Sequence, residues 1–266
     1  MDFETYALKK EMTTEIPRFR SDLLERHIRS TDTVLDVGCG DGVHLDYMSH
    51  LTDRQRLYGT EISRIRTERV RAKGFRCAKV DSCSLPFDDG TFNVVTIFEV
   101  LEHLEPSDAS FMLHEIYRVL SDEGVVIGST PNYPTKLIYG HINGLLTLLR
   151  APFKGLNAFA RGPAPSSRNV EPTSAPIHLY DKLKSLFSDD PTHIYRLNFV
   201  RLERLAIESS FRAQLYRTIG NRPEPANSRN YLNLLSRKVA FVLKKVPAAH
   251  ERVEHHDLVG TGIVRH

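Results

Sequence analysis

Apolar positions along the chain change period repeatedly, and each change predicts an element. Residues 17–29 place Phe19, Leu23, Leu24 and Ile28 on one side at helical spacing. Residues 33–37 (TVLDV) form a short apolar, β-branched run, as expected of a strand buried on both faces. A glycine-rich turn follows, then a helix through 44–51. The alternation continues with a strand at 57–60, a helix at 64–73 and a strand at 75–80. Residues 92–98 (FNVVTIF) carry the strongest strand signal in the chain. A helix is predicted over 107–120, with Ser107 as its cap before a stripe of Phe111, Leu113, Ile116, Val119 and Leu120. A fifth strand is expected at 125–129. This rhythm predicts an α/β fold with a doubly wound, mostly parallel sheet.

Beyond Thr130 the rhythm breaks. Residues 131–176 contain Pro131, Pro134, Pro152, Pro163, Pro165, Pro172 and Pro176, which predicts an insertion with short helices and a loop at 162–176. A helix at 199–210, a strand at 213–219, a helix at 231–246 and a terminal strand at 260–264 complete the reading. The expected division is a core with an N-terminal helix over 1–130, a helical cap over 131–192, and helices and strands completing the sheet over 193–266. Part of 221–259 is expected to join the cap.

Composition adds limits. The 266 residues are 41% hydrophobic and 26% charged, which suits a folded globular chain rather than a disordered one. Cys39, Cys77 and Cys83 cannot form a disulfide framework and lack metal-site spacing, so a reducing, cytoplasmic setting is expected. The opening MDFETYALKK has no basic-then-apolar order, and no apolar run approaches the roughly 18 residues of a spanning helix. The net charge of +3 hides a strong asymmetry. Residues 133–170 carry Lys136, Arg150, Lys154, Arg161 and Arg168 with no acid, and residues 211–250 carry eight basic residues against Glu224 alone.

The most informative segment is VLDVGCGDG, residues 34–42. A strand delivers its carboxyl end into a turn containing Gly38, Gly40 and Gly42, where glycines permit positive φ and let a ligand approach the backbone. Gly-x-Gly-x-Gly alone is weakly specific, and nicotinamide enzymes use a related loop. Two features tilt against a dinucleotide. The third glycine follows the second by two residues rather than three, and Asp36 sits inside the strand end, where a carboxylate repels pyrophosphate but attracts a cationic amino-acid moiety. Glu61 ends the second strand, 25 residues after Asp36, where an acid can accept both ribose hydroxyls. Asp81 ends the third strand, in reach of an adenine amine, and Glu99 follows the fourth. Four acids at successive strand ends suit a single nucleoside-bearing ligand.

With these residues in place, the sequence resembles the class I S-adenosylmethionine-dependent methyltransferases, strongly over residues 30–130 and loosely beyond. VLDVGCGDG is similar to their first motif, TEIS to their ribose acid, VDSCSLPF to their adenine-contacting strand end, and FNVVTIFEVLEHL to their fourth strand. The resemblance implies that S-adenosylmethionine is the cofactor. It implies that Asp36, Gly38 and Gly40 hold its methionine end and Glu61 its ribose, with Asp81 and Ser82 flanking the adenine and Ile62 packing on its face. Glu99 belongs to the same cofactor side.

Glu99, Glu102 and His103 can present three ligands to a divalent cation. Similar E-x-x-E-H clusters occur in metal-dependent RNA 2′-O-methyltransferases and in quinone-biosynthesis O-methyltransferases. The alternative is a metal-free pocket floor, and it is the one adopted here. His103 and His193 are then the expected catalytic residues, suited to taking an acceptor's proton near neutral pH. Residues 136–159 join a leucine-rich face to basic residues without acids, which suits either a peripheral membrane-surface contact or a lid over the substrate pocket. The expected acceptor is a small or lipid-linked molecule methylated on oxygen. Aromatic platforms among the basic residues are sparse, which disfavours nucleic acid. A cofactor-binding partner subunit without activity is the non-enzymatic alternative.

Overall fold

Val34–Val37 (β1) is buried along its whole length, the physical reason its sequence shows no polar alternation. It forms the centre of an eight-stranded sheet in a computed structural model that describes residues 3–9, 15–80, 83–133, 194–219, 222–230, 233 and 236–246. The preceding helices are α1 (Phe3–Lys9) and α2 (Arg18–His27). After β1 come α3 (Val43–Met48), β2 (Leu57–Glu61), α4 (Arg64–Ala72), β3 (Arg76–Lys79) and β4 (Phe92–Phe98). Then follow α5 (Pro106–Val119), β5 (Leu120–Pro131), α6 (Phe199–Glu208), β6 (Phe211–Ile219), β7 (Arg222–Ala226) and β8 (Lys238–Lys245).

The spatial order is β3-β2-β1-β4-β5-β8-β6-β7. β3, β2, β1, β4 and β5 are mutually parallel, whereas β8 runs antiparallel to both β5 and β6. The chain winds outward from β1 to β3, then returns to place β4 on the other side of β1. That reversal makes the carboxyl ends of β1 and β4 the topological switch point, where ligands of open α/β sheets bind.

Alternate side chains leave the sheet toward two apolar layers. Leu35, Val37, Val95, Ile97, Phe241 and Leu243 pack with α5 and α6. Val34, Val94, Ile127, Ala240 and Val242 face the opposite way, toward α2, α3 and α4. Each fully buried Leu or Phe stabilises this sandwich by about 1.5–3 kcal/mol.

Two expectations are corrected. The 231–246 segment does not continue as a helix: residues 239–243 (VAFVL) are five consecutive buried positions, which a strand covered on both faces can hide and an amphipathic helix cannot. Together with Arg222–Ala226, this segment extends the sheet instead of joining a cap. Nor does Ser107 cap α5. Pro106 opens that helix, its ring presetting φ for the first turn, and Glu105 holds the cap position without a side-chain bond. Of the cap expected over 131–192, Pro131 ends β5 and residues 134–192 lie outside the described residues, as do the expected membrane-contacting segment 136–159 and the strand at 260–264. Among the described residues, no helix is long and apolar enough to cross a membrane.

Candidate functional site

The turn after β1 is built from left-handed glycines, with φ of +69° at Gly38 and +56° at Gly40. A Cβ added to Gly38 would lie 2.5 Å from Val100 Cγ2, so the turn sits directly against the residues that follow β4. Cys39 N–H donates to the Thr60 carbonyl at 2.9 Å, laying the turn over β2. Glu61 then fastens it. Gly40 N–H donates to Glu61 Oε2 at 2.8 Å, while the N–H groups of Ile62 and Ser63 donate to Oε1 at 3.0 and 2.9 Å. One buried carboxylate thus joins the glycine turn to the start of α4, beside the exposed side chain of Ile62.

Asp36 is 1% exposed. Its Oδ1 accepts from the Thr96 hydroxyl at 2.7 Å, whereas Oδ2 is buried without a hydrogen-bond partner. Burial pushes its pKa up to about 7, against the opposing pull of the Thr96 bond and the Arg20 charge. His44 Nδ1 stands 3.9 Å from Oδ2, too far for a hydrogen bond. That imidazole is neutral, because burial and the nearby Arg20 push its pKa down to about 3. Arg20, from α2, lies over the Phe98 ring at 5.0 Å, approaches His44 Nε2 at 3.3 Å and pairs with Glu99 Oε1 at 2.9 Å.

Glu99 adopts φ of +58°, a conformation that a non-glycine residue keeps only when its surroundings impose it. Here they do. Its N–H donates to the Ser129 carbonyl at 2.8 Å, the Ser129 hydroxyl donates to Oε1 at 2.9 Å, and the Lys238 ammonium pairs with Oε2. Glu102, 2% exposed in the short turn Leu101–His103, accepts from the Thr130 hydroxyl at 3.1 Å and leaves Oε1 unpartnered. Burial, with repulsion from Glu99, pushes its pKa up to about 8. Its main-chain carbonyl accepts from Ile194 and Tyr195 at 2.8 and 3.0 Å, drawing in the chain that leads to α6.

The structure therefore gathers Asp36, Gly38, Gly40, Glu61, Ile62, Glu99 and His103 around the carboxyl ends of β1, β2 and β4. Asp81, Ser82 and His193 lie outside the described residues. Arg20 and Lys238 pair with the oxygens of Glu99, while Glu102 accepts from Thr130. Among the described residues no three His, Cys, Asp or Glu side chains converge on a metal position. Sequence reasoning missed Arg20, Thr96, Ser129 and Lys238. Thr96 and Ser129 sit on recognised strands, but the reading of 231–246 as helical hid Lys238.

Residues 35–128 match the family described as Methyltransferase domain. A probable S-adenosylmethionine-dependent methyltransferase of Mycolicibacterium smegmatis is 35% identical over 37% of this chain and 38% of its own length. Over residues 35–128 the chain is therefore similar to the methyltransferase domain of S-adenosylmethionine-dependent enzymes. A ubiquinone biosynthesis O-methyltransferase of Chromobacterium violaceum is 26% identical to this chain over 69% of it and 81% of the relative. In fold, it is similar to a putative methyltransferase of Haloferax volcanii solved with the Trm112 methyltransferase activator. The TM-score is 0.60 at 15% identity, covering 92% of this chain and 97% of that one. The first curated relatives are matched over less than half of their own length.

The residues present fit S-adenosylmethionine. Residues 35–128 offer a turn whose Gly38 and Gly40 carry no Cβ, an orphaned carboxylate oxygen on Asp36 that suits a cationic amino-acid end, and a buried carboxylate on Glu61 that suits hydroxyl donors.

Proposed function

We propose that the chain transfers the methyl group of S-adenosylmethionine to an oxygen of a small or lipid-linked acceptor. The observation that carries this reading is the Gly40–Glu61 fastening, which sets a glycine turn and a ribose-ready carboxylate together at the sheet's switch point. The oxygen acceptor is supported by the likeness to a ubiquinone biosynthesis O-methyltransferase and by the apolar, basic stretch at 136–159.

When bound, the cofactor supplies a methyl group on a positively charged sulfur, a donor already activated. The protein's work is to bind, align and deprotonate. Asp36 and the Gly38–Gly40 turn would hold the methionine end and Glu61 the ribose hydroxyls, while the resemblance assigns Asp81 and Ser82, outside the described residues, to the adenine, with Ile62 on its face. Arg20 and Lys238 fix Glu99 beside them. His103, five residues beyond β4, accepts the acceptor hydroxyl's proton, with His193 as a second candidate base.

The test incubates the protein with S-adenosylmethionine and a panel of phenols, catechols and prenylated hydroxybenzenes, following S-adenosylhomocysteine by mass spectrometry. Product formed with one acceptor class supports the reading. His103→Ala should lower turnover by about 10²–10⁴ with cofactor affinity intact. Tight cofactor binding with no product from any acceptor would favour the non-catalytic partner subunit.

A further inference from the structure

We propose that Cys39 and Cys77 form a peroxide-sensitive dithiol whose oxidation to a disulfide shuts the cofactor site. The two sulfurs stand 3.7 Å apart and both side chains are buried. Cys39 lies in the glycine turn between Gly38 and Gly40, while Cys77 lies on β3. Between them runs β2, and the β2 residue paired with Cys77 is Gly59. A Cβ at Gly59 would lie 2.7 Å from Cys39 Sγ, so a glycine there leaves the space through which the thiols meet. A disulfide requires about 2.05 Å between sulfurs, so closure asks for a movement of about 1.7 Å.

The two thiols are not equivalent. A groove of about 390 Å³ along the outer edge of β3 is lined by Gly59, Arg71, Cys77 and Ala78, giving a small oxidant a route to Cys77. The bond between the thiols lowers the Cys77 pKa against the opposing effect of burial, with a smaller downward pull from the Arg71 charge, while that bond and burial push Cys39 upward. Arg71 is held there by its own Nε donating to the Cys77 carbonyl at 2.8 Å. Cys77, the thiol that lines this groove, is therefore the attacking one and Cys39 the resolving one.

With hydrogen peroxide as oxidant, the Cys77 sulfur attacks one peroxide oxygen. An S–O bond forms, the O–O bond breaks, and the departing hydroxide leaves as water with the Cys77 proton. The Cys39 sulfur then attacks the Cys77 sulfenic acid. The S–S bond forms, the S–O bond breaks, and a second water carries off the Cys39 proton. Two thiols lose two electrons and one peroxide becomes two waters. Drawing Cys39 toward β3 shifts the adjoining Gly40 amide away from Glu61, opening the fastening on which cofactor binding depends.

This inference rests on the proposed cofactor site, and the experiment separates the two. The full chain is treated with hydrogen peroxide, digested without reductant and analysed by mass spectrometry, and S-adenosylhomocysteine binding is measured by calorimetry before oxidation, after oxidation and after dithiothreitol. The expected result is a linked Cys39–Cys77 peptide pair, a mass loss of two hydrogens, and at least tenfold weaker binding that dithiothreitol reverses. Cys77→Ser should bind normally and keep its affinity under peroxide, and Cys83→Ser should behave as the parent chain. Linkage through Cys83, overoxidation without a Cys39–Cys77 bond, or a disulfide that leaves binding unchanged overturns the proposal. Absence of binding in the reduced chain would instead count against the cofactor-site reading.

Discussion

Replacing Glu61 with alanine removes the acceptor for three amide N–H groups at once, those of Gly40, Ile62 and Ser63. Bonds to a charged acceptor contribute about 1.5–3 kcal/mol each, but water entering the emptied site would re-solvate part of the loss. We expect the ligand-free chain to lose about 2–3 kcal/mol, which for a domain of this size lowers the melting temperature by roughly 5–10 °C. In the complex, two ribose hydroxyls also lose their carboxylate. That costs about 3 kcal/mol and weakens S-adenosylhomocysteine binding about a hundredfold. Glu61→Gln can keep a carbonyl oxygen toward Ile62 and Ser63 but turns an amide NH₂ toward the Gly40 N–H, so it should fall between parent and alanine variant. Calorimetric titration with S-adenosylhomocysteine, paired with thermal unfolding, measures both effects. If both variants bind within threefold of the parent, Glu61 is a structural fastener alone and the ribose assignment is refuted.

Stability of the ligand-free chain should fall as pH rises from about 6.5 to 8.5. Asp36 and Glu102 have folded pKa values raised to about 7 and about 8, so they bind protons more tightly in the native than in the unfolded chain, and that stabilisation is lost as pH rises through those values. His44 and His27, lowered chiefly by burial, act oppositely but only below the ordinary histidine range. Glu102→Gln should flatten the upper part of the slope in a series of melts, and an unchanged slope would discount Glu102. Gly38→Ala places a methyl 2.5 Å from Val100 Cγ2 at a φ of +69°, and chemical denaturation should show a loss of at least about 1–2 kcal/mol. Lys238→Met and Glu99→Gln should each destabilise by about 1–3 kcal/mol and do so non-additively in a double-mutant cycle; strict additivity would mean that the ion pair contributes nothing.

The parallel half of the sheet was legible because each strand there is a short apolar run closed by a turn residue. β1, β2 and β4 were located to within a residue or so, which placed Asp36, Glu61 and Glu99 at their carboxyl ends. What was illegible depended on contacts between distant segments. A run such as VAFVL is compatible with a helix or a doubly covered strand until it is known that β5 and β6 leave a slot between them. The same gap concealed the ion cluster, since nothing in the neighbourhood of Lys238 announces a carboxylate 139 residues earlier. The shifted acidities of Asp36 and Glu102 were hidden too, because they come from burial rather than from residue order.

The placement of β8 has a consequence for biosynthesis. Its partners are Val125–Pro131 on one side, made about a hundred residues earlier, and Phe211–Arg217 on the other. During translation β3, β2, β1, β4 and β5 can assemble as soon as residue 131 is free, yet the outer edge of β5 then stays bare until Lys245 has emerged. A chain stalled or cut before Lys238 would present that edge, with its row of unpaired amides, to the equivalent edge of a neighbouring copy. Loss of the last hundred residues at the genetic level should therefore yield inclusion bodies rather than a smaller folded chain.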